Sequence, residues 1–171
     1  MKCSNIISEE DFGNLTYKML VKTINDIPRT TIRELRYSDL YQPRNSCHGI
    51  YIIKSPENKY YFGKATGRCV ADRIGGHIDS RNDSFINSFL KIVAGENFSD
   101  EDLHQAFIKT LDWELSVLFV EGQGEDKGKL IGLAEQLLIY YFKINNQCIN
   151  GCNRKRPYPH LELPLLEHMK K

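Results

Sequence analysis

The chain has 171 residues, 41% hydrophobic and 26% charged, with a net charge of +1. That length supports one domain with a real core rather than two, and no apolar run of about 18 residues is present to span a membrane. The near-zero net charge excludes a bulk polycation, so any binding of nucleic acid has to use a local basic surface.

The N-terminal stretch MKCSNIISEEDFG lacks the pattern of a signal peptide, and a cytoplasmic location is the resulting expectation. Residues 1–46 read as a helical extension. Ser8-Glu9-Glu10-Asp11 has the composition of a helix start, Phe12, Leu15, Met19 and Leu20 follow at helical spacing, and Pro28 and Pro43 interrupt the segment. Residues 49–54 and 59–63 read as a β-hairpin across Ser55-Pro56-Glu57-Asn58, with proline where a type I turn favours it and an asparagine able to take positive φ. A helix is expected from Cys69 to Ser80 despite Gly75-Gly76, and a second from Phe85 to Val93. Leu111 to Val120 is β-rich, EGQGEDKG is a polar loop, and a long helix runs from Lys129 to Ile144, ended by Asn145-Asn146. Residues 152–171 form a basic, proline-containing tail. The order β-β-α-α-β-α implies an α+β fold, with a small three-stranded antiparallel sheet flanked by helices over residues 47–151.

Cys3, Cys47, Cys69, Cys148 and Cys152 are odd in number and irregularly spaced, which fits reduced thiols better than a disulfide framework. Cys148 and Cys152 form a C-x3-C pair that His48 and His77 could complete as a zinc site. The spacing is poor for zinc and no second pair exists.

Three features carry possible chemistry. Tyr51 and Tyr61 lie on the two hairpin strands. They share a face only if the loop has an odd number of residues, and a three-residue loop with a bulged Asn58 would pair them directly. Taken alone, tyrosine in a strand is more simply a packing residue. Arg73 and His77, at i and i+4, lie on one helix face and combine a fixed cation suited to phosphate with a proton acceptor, although a polar surface helix would carry the same pair. Glu135 sits mid-helix in LIGLAEQLLIYYFKI, which is apolar almost all round, and a buried carboxylate requires an ion pair, a proton or a bound cation. Two basic clusters, Arg29, Arg33 and Arg36, and Arg154-Lys155-Arg156, offer further contacts, or else a solvated face.

The ordered set GIY at 49–51, YFG at 61–63, Arg73 and His77 on the next helix and Glu135 on a later one resembles the GIY-YIG nuclease superfamily. YFGKATGRCVADRI is similar to the corresponding run of its excision-repair members, and Asn150 follows Glu135 by fifteen positions, as an asparagine does in the family. The resemblance covers residues 47–151. It implies hydrolysis of a phosphodiester by one Mg2+ per active site, with Mn2+ able to substitute. Tyr51 would be the general base, assisted by His77 or by a hydroxide on the metal. Tyr61 would position the water, Arg73 would hold the scissile phosphate, and Glu135 would carry the metal that stabilises the departing 3′ oxygen. Asn150, or Asn153 close by, would fix local geometry, and Lys64 would add a phosphate or base contact. The additional histidine of some homing members has no counterpart in Asn82-Asp83-Ser84.

Within the superfamily, about 45 residues ahead of the core and about twenty after Asn150 resemble a short type II restriction endonuclease. Homing enzymes carry a long linker and a DNA-binding module, and resolvases carry a zinc domain. The expectation is a symmetric homodimer cutting both strands of double-stranded DNA at a specific site, with Arg29, Arg33, Arg36, Arg154, Lys155 and Arg156 on backbone or base edges. A repair or structure-selective nuclease, or a nuclease-like DNA-binding module without activity, are the alternatives.

Overall fold

The computed structural model describes residues 3–78, 88–150 and 160–170. Along the chain these form β1 (Ser4–Ser8), α1 (Glu9–Gly13), α2 (Tyr17–Asn25), β2 (Thr30–Thr31), α3 (Tyr37–Leu40), β3 (Gly49–Lys54), β4 (Tyr60–Ala65) and α4 (Val70–His77), followed by α5 (Ser88–Ala94), α6 (Asp100–Thr110), β5 (Glu114–Glu121), α7 (Lys127–Ile144) and α8 (Leu165–Met169). The fold is α+β. Its five strands run β1-β5-β3-β4, with β2 pairing β5 as well.

β3, β4 and β5 are the expected antiparallel trio. The sheet is nonetheless larger than expected and mixed, because β1 joins β5 in parallel and β2 joins it antiparallel. Both additions come from the segment read as purely helical. Its strands are too short, and β1 too exposed at its edge, to print an alternating pattern. Within the same segment Ser8 caps α1 by accepting from the Asp11 amide at 3.0 Å, and Thr16 caps α2 from the Met19 amide at 3.3 Å.

Alternation places the two faces of β3–β5 in separate cores. Ile50, Ile52, Phe62, Leu118 and Val120 pack with α1, α2, α7 and α8. Tyr51, Ile53, Tyr61, Ala65, Leu115, Val117 and Phe119 face the other way, with α4, α5 and α6 residues. Helix α6 was not expected, although Ser99 forms a capping box with Asp102 ahead of Leu103 and Ala106. It displaces the start of β5 from Leu111 to Glu114. The end of the first expected helix and the start of the second fall in residues 79–87, outside the described residues.

The reduced-thiol expectation is overturned at Cys47 and Cys69, which form a disulfide with Cα atoms 4.8 Å apart. Their spacing of 22 residues in sequence hides the contact. The chain leaves Cys47 into β3, returns through β4, and the first amide of α4, on Val70, donates to the Cys47 carbonyl at 2.9 Å. Cys3 and Cys148 are both buried.

Candidate active site

The hairpin loop closes over five residues, Ser55 to Lys59, with Asn58 at φ 59°. The loop is odd, so Tyr51 and Tyr61 share a face. Direct pairing does not occur: Tyr51 lies opposite Gly63, and Tyr61 opposite Ile53. The rings are diagonal neighbours with centroids 6.4 Å apart. The longer loop moves the partner of Tyr51 two residues along β4, from Tyr61 to Gly63, and within it Lys59 N–H folds back onto the Ser55 side chain at 3.2 Å.

Gly63 explains why the second motif ends in glycine. A Cβ at this position would collide with Cζ and Oη of Tyr51, whose ring lies across the edge strand. Gly49 serves the neighbouring pair, since a Cβ there would strike the Leu118 carbonyl of β5. With its ring over Gly63, the wholly buried Tyr51 projects its hydroxyl past β4 to α4 and hydrogen-bonds Nε2 of His77.

His77 is wholly buried, packed edge-on against Tyr61 at 5.5 Å and Phe89 at 6.5 Å. Burial, and then the Arg73 charge, lower its pKa to about 4, so the imidazole is neutral near pH 7. Its Nδ1 finds no hydrogen-bond partner among the described residues. Burial also raises the Tyr51 phenol above its ordinary 10.0, and Tyr61 adds to the rise. Arg73, within hydrogen-bonding reach of the phenol, opposes it.

Glu135 arrives from α7 on the opposite face of the sheet. Leu130, Ile131, Ala134, Leu137 and Leu138 of that helix are buried as expected, whereas Ile144 at its end is exposed. The Glu135 side chain is 15% exposed and pairs with Lys64 Nζ at 3.0 Å. Burial raises its carboxyl above the usual 4.5, and Lys64 and Arg73 both pull it back. Lys64 lies over Gly132, with Nζ 3.4 Å from where a Cβ would stand. Tyr51 and Glu135 both feel the charge of Arg73, so side chains from α4 and α7 come together around the edge of β4.

Beside this group Lys64, Thr66, Gly67, Arg68 and Arg73 line a cleft of about 320 Å³. Arg68 is the residue that sequence reasoning missed. It lies in the link between β4 and α4, where only proximity to Arg73 in space gives it meaning. Among the described residues no group of three His, Cys, Asp or Glu side chains could cage a metal, and Cys152 of the zinc alternative lies outside the described residues. The Lys64 ion pair already supplies the cation that burial of Glu135 calls for, so a divalent metal on this carboxylate would have to displace Lys64 Nζ.

Asn150 stands apart from the reacting groups. Its Oδ1 accepts from the Phe62 N–H at 2.8 Å and its Nδ2 donates to the Phe62 carbonyl at 2.7 Å. With Gln147 accepting from Tyr60 N–H at 2.8 Å and Ile149 N–H donating to the Tyr60 carbonyl at 2.9 Å, the chain after α7 completes the edge of β4. Arg33 is held by Asp112 at 2.9 Å, Arg29 has a buried Nε without a partner among the described residues, and Arg36 is exposed. None of these three lines the cleft. Arg154, Lys155, Arg156 and Asn153 lie outside the described residues. No helix is long and apolar enough to cross a membrane among the described residues. Comparison with protein-family models, curated proteins and solved structures finds no match for this chain.

Proposed function

We propose that this chain is a Mg2+-dependent DNA endonuclease of the GIY-YIG type, cutting both strands of double-stranded DNA at a specific site as a homodimer in the cytoplasm. The observation that carries the reading is the meeting of Tyr51, His77, Arg73 and Glu135, from three elements on two faces of the sheet, beside one basic cleft. Packing alone does not call for a tyrosine–histidine hydrogen bond and a buried carboxylate at one strand edge.

In this reading Arg73, with Lys64 and Arg68, holds the scissile phosphate and offsets charge on its non-bridging oxygens. A water attacks phosphorus and its P–O bond forms as the bond to the 3′ oxygen breaks. The water's proton passes to Tyr51 Oη while the phenol's own proton passes to His77 Nε2. A concerted transfer avoids a buried phenolate, which the raised pKa of Tyr51 disfavours. The bound phosphate also adds negative charge beside His77, which raises its basicity when substrate is present. Tyr61, against both rings, restricts where the water can sit. Glu135 would hold Mg2+, whose charge stabilises the departing 3′ oxygen.

Incubation with a long duplex of known sequence, with Mg2+ or with EDTA, tests the reading. Discrete fragments with Mg2+ alone support it, whereas a smear, or cutting confined to branched substrates, points to a repair or structure-selective enzyme. The Lys64–Glu135 ion pair is also what a binding module without activity would keep. Binding without cleavage under any divalent metal would favour that module. Glu135→Ala should abolish cleavage while leaving the fold intact by circular dichroism, and near-normal cutting by this variant would refute the assigned site.

A further inference from the structure

A second cavity, of about 440 Å³, opens beside the cleft and shares Thr66 with it. Arg44, Asn45, His48, Gly122, Gln123, Gly124, Lys127 and Gly128 complete its lining, and no carboxylate is among them. Lys127 is only 9% exposed. Its Nζ donates to the carbonyls of Asn45 at 3.1 Å and Gly122 at 2.5 Å. Two of its three donors are thus used, and no carboxylate pairs with it among the described residues. Two carbonyls solvate this ammonium and the Glu9 carboxylate packs against Gly122 and Gly124 behind the wall, which leaves its third donor for an anion entering the cavity. Arg44 at the rim adds a second fixed cation, and His48, kept neutral by burial, Lys127 and Arg44, offers a ring N–H. The first turn of α7 also opens here, with no side-chain cap from Asp126.

We propose that this cavity is a second phosphate site, which holds a backbone phosphate of the same DNA strand that Arg73 engages. Identification of the anion as DNA rests on the nuclease reading. Gly128, lining the cavity, and Glu135, at the reacting group, are seven residues apart on α7, which is about 10 Å along the helix. Successive phosphates of one strand are separated both by the rise of about 3.4 Å and by their turn about the duplex axis, so this straight-line distance corresponds to roughly one or two nucleotides. The strand would then run along the face of α7 that carries Gly128 and Gly132, with Lys64, which lies over Gly132, among its contacts.

A salt titration of labelled-duplex binding in EDTA, with Arg44→Ala and Lys127→Gln compared to wild type, tests the site. Each variant should bind roughly 10-fold more weakly at moderate salt and lower the slope of log K against log salt by about 1. A duplex with one uncharged methylphosphonate roughly one or two nucleotides from the cut should mimic Arg44→Ala, and should lose nothing more in that variant. If both variants are folded and keep the wild-type slope, the second site is refuted, even where the enzyme cuts. If wild type fails to cut but binds with an Arg44-dependent slope, the nuclease reading falls and the phosphate site stands. Absence of both binding and cutting refutes both.

Discussion

Tyr51 and Gly63 form a single steric unit, because the phenol reaches His77 only by lying where a side chain on residue 63 would be. Alanine for glycine in a strand ordinarily stabilises by about 0.5–1 kcal/mol. Gly63→Ala should do the reverse, destabilising by about 1–3 kcal/mol through overpacking, and should reduce cleavage as severely as loss of the phenol. A melting temperature at or above wild type would refute this. Tyr51→Phe removes the hydroxyl while keeping the ring. Cleavage should fall about 10²- to 10⁴-fold, and stability by roughly 1–3 kcal/mol because Nε2 of His77 is left without a partner. Equal single-turnover rates for Tyr51→Phe and wild type would exclude Tyr51 from proton transfer.

At the level of elements, β4 is the strand on which the site hangs, and it is an edge strand on one side only until the chain after α7 covers it. Asn150 presents its amide as a neighbouring strand would, meeting both polar groups of Phe62. Asn150→Ala leaves a buried N–H and C=O unpaired, at a cost of roughly 2–4 kcal/mol in total. Hydrogen exchange should become faster at the Phe62 amide specifically. Asn150→Asp keeps the acceptor and loses the donor, so it should preserve protection of that amide better than alanine. Identical exchange at Phe62 in wild type and Asn150→Ala would remove Asn150 from this positioning role. The Cys47–Cys69 disulfide ties the entry of β3 to the start of α4, the helix that carries Arg73 and His77. It therefore joins the two elements whose side chains meet at the phenol.

For the whole molecule, the buried imidazole makes stability depend on pH. His77 titrates at about 4 in the fold against 6.5 in an exposed chain. Between these values the unfolded chain binds the additional proton, so stability is full above pH 6.5 and is lost as pH falls towards 4. The loss attributable to His77 is at most roughly 3 kcal/mol. Urea unfolding at pH 7 and pH 4.5 should show a smaller decline in His77→Gln than in wild type, and equal declines would contradict the linkage. The homodimer expected of an enzyme cutting both strands is checked by sedimentation equilibrium with and without duplex. A monomer in both conditions would require two separate binding events for a double-strand cut.

The local signals were readable in the chain itself. The short apolar runs at 49–54 and 59–63, the proline–asparagine turn, the cap at Ser8 and the apolar run around Glu135 depend on neighbours a few residues away, where composition, periodicity and turn chemistry act directly. They sufficed for an α+β class, for the three central strands and for Tyr51, Tyr61, Arg73, His77 and Glu135 as residues worth testing. Tertiary structure decided what long-range pairing alone can decide. It placed β1 and β2 in the sheet, joined Cys47 to Cys69, set the register that puts Tyr51 on Gly63, and gave Asn150 to the Phe62 backbone. It also gathered Arg68, and separately Arg44 and Lys127, into cavities, because a cation acquires a site only from the walls around it. The contact of Asn150 with Phe62 spans 88 residues and the pairing of β1 with β5 spans still more, and no local period of the sequence carries them.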